Sequence, residues 1–575
     1  MVMLRQENEE LVSQLLALVE ARIEAPSEVL LLFCRHYYAN VPAADLAQRN
    51  PEDLYTTLLA QWHQMLQRQP QIPALHIYNP TVEDHGWQSP HTVLDLVVED
   101  RPFLVESITM ALNRHGLTNH IIFHPVYRLL RSPLGKLVKI LDDGSRGEAG
   151  IVTEAVIHIE FDRRSDAIEL DTLQQKIALV LEDVRAATDD WPRMLADLDD
   201  AVLQLEADAA HRFKIPGGEL ATTFAEAISF LQWLKNHHFV FLGCRDYRLQ
   251  QQGETLGFQI VTESGKGVLR EEIATIPEDP FIPLTPDLCT IINDRNPLII
   301  TKATTRSTVH RPVFLDYIGV KRFDAEGKVC GERRFLGLYS SSVYREDPIT
   351  IPLVARKLER LRRESEAVGG LFSASQLHHV IAEMPRDELF HASAAEVTAT
   401  ALGILQLQDR QRIRLFIRQD LYGCFFSILL YVPRERYTTE IRKRLEKLFL
   451  QRLSGLDVNF RVHFSDSILA RIRFIVTVPE GRAIAYDSQE LEHEVEILFH
   501  DWRQELADSL RSHYGEEEGN RLFLRYGDSF TTAYREDYTP RRALPDIEQL
   551  ERLDLQGARL QFSLFRPPEL EEGSL

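Results

Sequence analysis

The stretch from Thr92 to Leu117, TVLDLVVEDRPFLVESITMALNRHGL, constrains the fold more than any other in the chain. Val93, Leu94, Leu96, Val97 and Val98 make a dense apolar run, which predicts a strand from Thr92 to Val98 covered on at least one face. Glu99, Asp100, Arg101 and Pro102 then form an acidic turn, and Phe103 to Arg114 reads as a helix with Phe103, Ile108, Ala111 and Leu112 on one stripe. Gly116 supplies the stop. A strand that turns tightly into a helix aims backbone N–H groups at whatever lies over the turn, which suits a carboxylate. The same geometry also serves as a plain structural corner.

At 575 residues the chain exceeds one core, and about three to five domains are expected. Upstream, residues 1–75 read as helical: Leu11, Leu15, Leu16, Val19 and Ile23 recur at helical spacing, and Pro51 with Glu52 and Asp53 starts a further helix. Downstream, strands at Ile121–Leu130 and Val152–Phe161 and an amphipathic helix at Ile168–Ala187 follow. The order strand, helix, strand, strand, helix is most of a ferredoxin-like βαββαβ unit over residues 76–210.

Pro216, Gly217 and Gly218 mark a boundary. Residues 219–350 hold a helix and five short strands, the order of a PAS-like or GAF-like module with an antiparallel sheet. Residues 351–408 form a helical connector; its first helix ends at Gly369 and Gly370, and its arginines alternate with Glu359, Glu364 and Glu366 as on a solvated face. A second ferredoxin-type unit is expected over 409–513, with strands Arg412–Arg418, Cys424–Val432, Val458–Phe464 and Arg471–Val478 and helices Thr438–Leu450 and Gln489–Leu510. The two units repeat in architecture rather than in letters. Residues 514–575 start helical and show no convincing core of their own. The fold class is therefore α+β multidomain, with ferredoxin-like modules and a PAS/GAF-like module joined by helical segments.

Chemistry is sparse. The sequence has no G-x-G-x-x-G, no phosphate loop, no H-E-x-x-H and no G-x-S-x-G. Glu263-Ser264-Gly265-Lys266-Gly267 reads as a hairpin turn. The pairs His237-His238 and His378-His379 are adjacent, so each pair diverges on a regular element. No catalytic residue and no metal ligand is assigned. Cys34, Cys244, Cys289, Cys330 and Cys424 lie far apart, which fits reduced thiols in a cytoplasm. The net charge of −21 argues against a nucleic-acid partner, and the N-terminus and apolar runs give neither a signal peptide nor a membrane span.

YYANVPAADL (37–46), EDHGWQSPHTV (83–93), DRPFLVESITMALNRHGL (100–117), FLGCRDYRL (241–249), EMPRDELF (383–390) and YREDYTPRRALPDIEQL (534–550) together resemble the N-terminal part of the large bacterial NAD-specific glutamate dehydrogenases. That resemblance implies ACT-like and PAS-like modules in a regulatory and assembly portion. The partners it implies are a catalytic domain of the same enzyme, further copies of the chain as a homo-oligomer, and an amino-acid effector. It implies no cofactor bound by this chain, and NAD for the full-length enzyme. The alternative is a free-standing amino-acid sensor or scaffold. ACT domains that bind amino acids usually have glycine after the D-x-P of the first turn, and here that position is Phe103. Asp100, Arg101, Pro102 and Phe103 are thus the candidate effector-binding residues, with Arg101 the cation nearest to hand; the bulk of Phe103 favours packing.

Overall fold

The computed structural model describes residues 2–555 apart from 40, 43–44, 47–48, 70, 142–149, 213–218, 271–280, 368–372, 408–409, 411, 466, 480–483 and 500–501. The boundary expected at Pro216–Gly218, the helix stop at Gly369 and Gly370, and the terminal PPELEEGSL lie outside the described residues. The chain forms two compact units, Met1–Leu405 and Gln406–Leu575.

The first unit opens with helices Val2–Arg22, Glu28–Tyr37 and Pro51–Leu66. The last of these starts as the sequence predicts, with Pro51 at its first turn and the Asn50 side chain accepting from the Glu52 N–H. Six strands follow: β1 Ala74–Tyr78, β2 Thr92–Glu99, β3 Asn119–Phe123, β4 Val126–Arg131, β5 Leu137–Leu141 and β6 Ile151–Phe161. They pair antiparallel in the order β1-β2-β6-β4-β5, with β3 also on β6. The strand expected over Ile121–Leu130 is thus two pieces along β6, divided at His124-Pro125 because proline has no N–H for the ladder.

The helices of this module are Leu104–Arg114, after β2, and Ala167–Asp189, after β6. A βαββαβ unit would place its last strand after the second helix, at the edge beside its first strand. Here that edge is filled by β1, which precedes the module's first long strand and pairs with it from Ala74↔Val97 to Tyr78↔Val93. The sheet is buried on both faces. Leu104, Ile108, Leu112, Leu173, Ile177 and Leu181 line the buried sides of the two helices, and the N-terminal helices cover the other face in one core that joins Phe33, Tyr37, Leu58 and Trp62 to Val97, Tyr127, Leu129 and Val156. This double cover explains why seven of the eight residues of β2 are buried.

Helices Trp191–Ala207 and Glu219–Trp233 lead to a second sheet of β7 Phe239–Gln252, β8 Thr255–Ile260, β9 Lys266–Gly267, β10 Phe281–Pro283, β11 Leu298–Arg306, β12 Phe314–Phe323 and β13 Val329–Tyr339. Its order is β10-β8-β7-β13-β12-β11, antiparallel throughout, with β9 on β7. The Glu263–Gly267 stretch is therefore not a simple hairpin turn: Lys266 and Gly267 form a short strand of their own on Gly243 and Cys244. Helices Val354–Ala367, Ala374–Glu383, Arg386–His391 and Ala394–Leu407 follow. More than a connector, they share one core with this sheet, where Leu361, Ile381, Leu389, Phe390 and Val397 meet Phe335, Tyr339 and Ile318.

The second unit holds β14 Arg414–Gln419, β15 Phe425–Pro433, helix Thr439–Arg452, β16 Asp457–Phe464, β17 Leu469–Thr477 and helix Ser488–Leu498. Its sheet order is β14-β15-β17-β16. Again the edge strand comes from upstream of the first long strand, so the repeat inferred from element order extends to the same rearranged connectivity. The helix expected over Gln489–Leu510 is two helices, Ser488–Leu498 and Trp502–Tyr514. The segment beyond does have a core: Leu506, Leu510, Leu522, Tyr526, Ala543, Leu544 and Ile547 pack helices Trp502–Tyr514, Glu516–Tyr526 and Pro540–Leu555 together. Charged residues interleaved with these positions hide that core from a composition-based reading.

Candidate functional site

The turn from Asp100 to Phe103 is tied down by the protein itself. Arg101 donates to the Asp189 carboxylate, to Thr188 Oγ1 at 3.0 Å and to Glu99 Oε2 at 3.0 Å, which fastens the end of β2 to the last turn of the helix Ala167–Asp189. The Asp100 N–H donates to the Thr153 carbonyl at 2.9 Å. Phe103 lies outside the helix it was expected to begin. It takes the left-handed conformation, φ 73°, and the helix starts at Leu104. A bulky residue adopts that region only where the surroundings offset the strain.

Those surroundings come from the second sheet. The Phe103 ring lies 4.8 Å from the ring of His310, itself at φ 71°. The His310 N–H donates to Ser107 Oγ at 3.0 Å, Ser107 Oγ donates to the Phe103 carbonyl at 2.5 Å, and Arg114 donates to the Ser307 carbonyl at 2.5 Å. The candidate effector turn is thus a docking joint between the first module and the loop that joins β11 to β12. The order of the residues shows the turn, but its docking loop lies about two hundred positions away, and that partner is invisible in sequence.

Two buried charge networks on β6 were not legible either. His158 is fully buried between two carboxylates, with Nδ1 2.6 Å from Asp95 Oδ1 and Nε2 3.4 Å from Glu160 Oε1. Tyr78 donates to Asp95 at 2.8 Å, Ser89 donates to Glu160 at 3.0 Å, and Arg49 binds Glu160 through both terminal nitrogens at 2.7 and 2.9 Å. Burial alone would pull the imidazole down, but Asp95 and Glu160 outweigh it and raise His158 to about 9. Burial pushes Glu160 the other way, and His158 and Arg49 overcome it and hold the carboxyl well below its usual range. Further along the strand Glu154 accepts from Arg68 at 2.7 and 2.9 Å and from Arg131 at 2.5 and 2.7 Å. The only sequence signal for either network is the alternation Glu154, His158, Glu160 in an apolar strand.

The second sheet carries a further polar face. Arg333 joins Asp246 at 2.7 and 3.0 Å and Asp200 at 3.0 Å on the side of the helix Trp191–Ala207. On the opposite side stand Arg245, Tyr247, Tyr317, Lys321, Glu332 and Arg334. Lys321 donates to the Ile291 and Asp294 carbonyls at 2.8 Å each. Burial lowers its pKa to about 8, against the opposing pull of Asp294 and Glu332.

Among the described residues no group of three or more His, Cys, Asp or Glu side chains is placed to hold a metal. No described helix is long and apolar enough to cross a membrane. These features define a multidomain α+β protein built from ferredoxin-like modules, whose polar residues knit modules to one another.

Residues 33–177 match the ACT1 domain of glutamate dehydrogenase, 351–410 its helical motif 1, 414–503 its ACT2 domain and 509–553 its helical motif 2. The NAD-specific glutamate dehydrogenase of Halomonas elongata is 36% identical over 94% of this chain and 33% of its own length. That of Pseudomonas aeruginosa is 33% identical over 93% of this chain and 32% of its own, and that of Mycobacterium tuberculosis 27% identical over 82% and 28%. The chain belongs to the NAD-specific glutamate dehydrogenase family. It spans about a third of the length of the curated relatives it matches.

Proposed function

We propose that this chain is the regulatory and assembly portion of an NAD-specific glutamate dehydrogenase, working in the cytoplasm as part of a homo-oligomer. Oxidative deamination of L-glutamate to 2-oxoglutarate and ammonia, with NAD, belongs to a catalytic domain outside these residues. One observation carries the reading: ACT1, helical motif 1, ACT2 and helical motif 2 follow one another along a chain that aligns with about a third of full-length relatives. Residues 219–350 act as a PAS-like module. Support comes from strand order: taking β7, β8, β11, β12 and β13 as first to fifth, the sheet runs second, first, fifth, fourth, third. Within this reading the turn Asp100–Phe103 serves docking, because Arg101 already faces two carboxylates.

The test is direct. The purified chain mixed with glutamate and NAD yields no NADH by absorbance, whereas the same chain continued into the remaining two thirds of a relative's length does. Measurable turnover by the chain alone sinks the assignment.

A further inference from the structure

The sheet of the second unit has one edge that the protein covers and one that it leaves open. On β14 the outward Leu415 N–H donates to Glu492 Oε2 at 2.7 Å, a side chain of the helix Ser488–Leu498. β16 ends the order β14-β15-β17-β16 on the other side, with no described strand beyond it. Six of its eight residues are exposed. Leu456 just before it, Phe460 and Phe464 within it and Ile468 just after it are 69, 40, 50 and 41% exposed. An open edge strand that carries large apolar side chains is a template for another strand.

The ladder fixes which backbone groups are open. The Val478 N–H donates to the Cys424 carbonyl at 2.9 Å, in register with the pairs from Phe425↔Thr477 to Pro433↔Leu469. Antiparallel bonds alternate residue by residue, so the even-numbered residues of β17 bond to β15 and the odd-numbered ones to β16. Thr477, Ile475, Arg473 and Arg471 stand opposite Asp457, Asn459, Arg461 and His463. Those four residues of β16 therefore turn N–H and C=O inward, and Val458, Phe460, Val462 and Phe464 turn theirs outward. Side chains divide the same way: Val458 and Val462 pack on the helix-covered core, and Asp457, Asn459, Arg461 and His463 lie on the opposite face.

This edge is complementary to itself. With two copies antiparallel and Phe460 on a two-fold axis, Phe460 meets its own copy, Val458 meets Val462 and Leu456 meets Phe464, all through the outward backbone groups. On the opposite face Asp457 meets His463, with Arg461 as its diagonal neighbour, and Asn459 meets Arg461. The neighbouring registers that keep each face together are poorer. One sets Arg461 against its own copy, and the other sets Phe464 against Ser454.

We propose that two copies of the chain join edge to edge along β16, about a two-fold axis at Phe460, into one continuous eight-stranded sheet. The inference rests on the homo-oligomer of the proposed function and names the surface on which two copies meet.

Sedimentation of the intact chain over a range of concentrations, together with cysteine cross-linking, tests it. A dimer is expected whose dissociation constant rises at least tenfold in Val462→Pro, which removes an outward N–H and leaves the chain's own ladder whole. Asp457→Lys should weaken the dimer likewise by setting a like charge against His463 and Arg461, and adding His463→Glu should restore most of it. Facing residues of a hydrogen-bonded pair have Cα atoms about 5.5 Å apart, within disulfide reach. In a chain freed of the exposed Cys330 by Cys330→Ser, Phe460→Cys should therefore form an intermolecular disulfide on oxidation. Val462→Cys, which faces Val458, should not, so the test stands even where the proline variant fails to fold. A chain monomeric throughout overturns the inference, and so does a dimer that survives Val462→Pro and leaves Phe460→Cys without a cross-link. Turnover of glutamate by the chain alone would remove the regulatory reading and leave the pairing result untouched; an inert chain whose dimer ignores these variants would remove only this surface.

Discussion

Raising the pH through the range above neutrality should loosen the first module, because His158 holds its proton more tightly folded than unfolded. The imidazole is raised to about 9 by Asp95 and Glu160, against about 6.5 for an unfolded histidine. A folded-state pKa above the unfolded one contributes stability that is complete below about pH 6.5, declines from there, and is gone above about pH 9. At roughly 1.4 kcal/mol per pH unit the loss is about 3 kcal/mol. Glu160 has the opposite sign: its depressed pKa contributes above the usual carboxylate range and is lost on acidification. The module should therefore be most stable between about pH 5 and 6.5. Trp87, 1% exposed with its ring 6.1 Å from that of His158, is a local reporter. Urea unfolding followed by fluorescence at half-unit pH steps, with the signal of a Trp87→Phe chain subtracted, gives the slope. A urea midpoint that stays flat from pH 6.5 to 9, or a slope that persists in His158→Gln, refutes the reasoning.

Glu154→Ala should cost about 3–5 kcal/mol, because it strands the guanidiniums of Arg68 and Arg131, each with a side chain 6% exposed, without an anion. Thermal unfolding of that variant beside the triple replacement Arg68→Met, Glu154→Leu, Arg131→Met checks it: the triple chain should regain most of the loss. Gly267→Ala should destabilise the second sheet locally, since Gly267 sits at φ +60° and an added Cβ would meet the Leu242 carbonyl oxygen at 2.0 Å. Faster hydrogen exchange in peptides covering 239–252 is the expected signature, and wild-type protection there would contradict it.

The stretch around Thr92–Leu117 shows where sequence reading stops. Its strand, turn and helix follow from local facts that any window of the chain displays: an apolar run, a proline, a helical stripe and a terminal glycine. The same local logic yields the helices and the long strands of both ferredoxin-like modules, though not β1 or β5 of the first, because the periods of 2.0 and 3.6 residues are written one window at a time. Pairing across the sheet is not local. The five residues Ala74–Tyr78 have no period strong enough to announce a strand, and only the register against Val93–Val97 makes them the module's edge. Nor does sequence tell that helices at the N-terminus would close the free face of the sheet, which decides that His158, Glu154 and Glu160 are buried and so must be paired. The left-handed turn at Phe103 is the sharpest case: Phe is a poor choice for that backbone, and its strain is offset by His310 and Ser107 in a contact that only folding brings together. Sequence alone determined the main helices and the long strands, since these rest on neighbours in the chain. Tertiary structure decided which strand takes each edge, which faces are dry and which buried charges are paired with which, since these rest on neighbours in space.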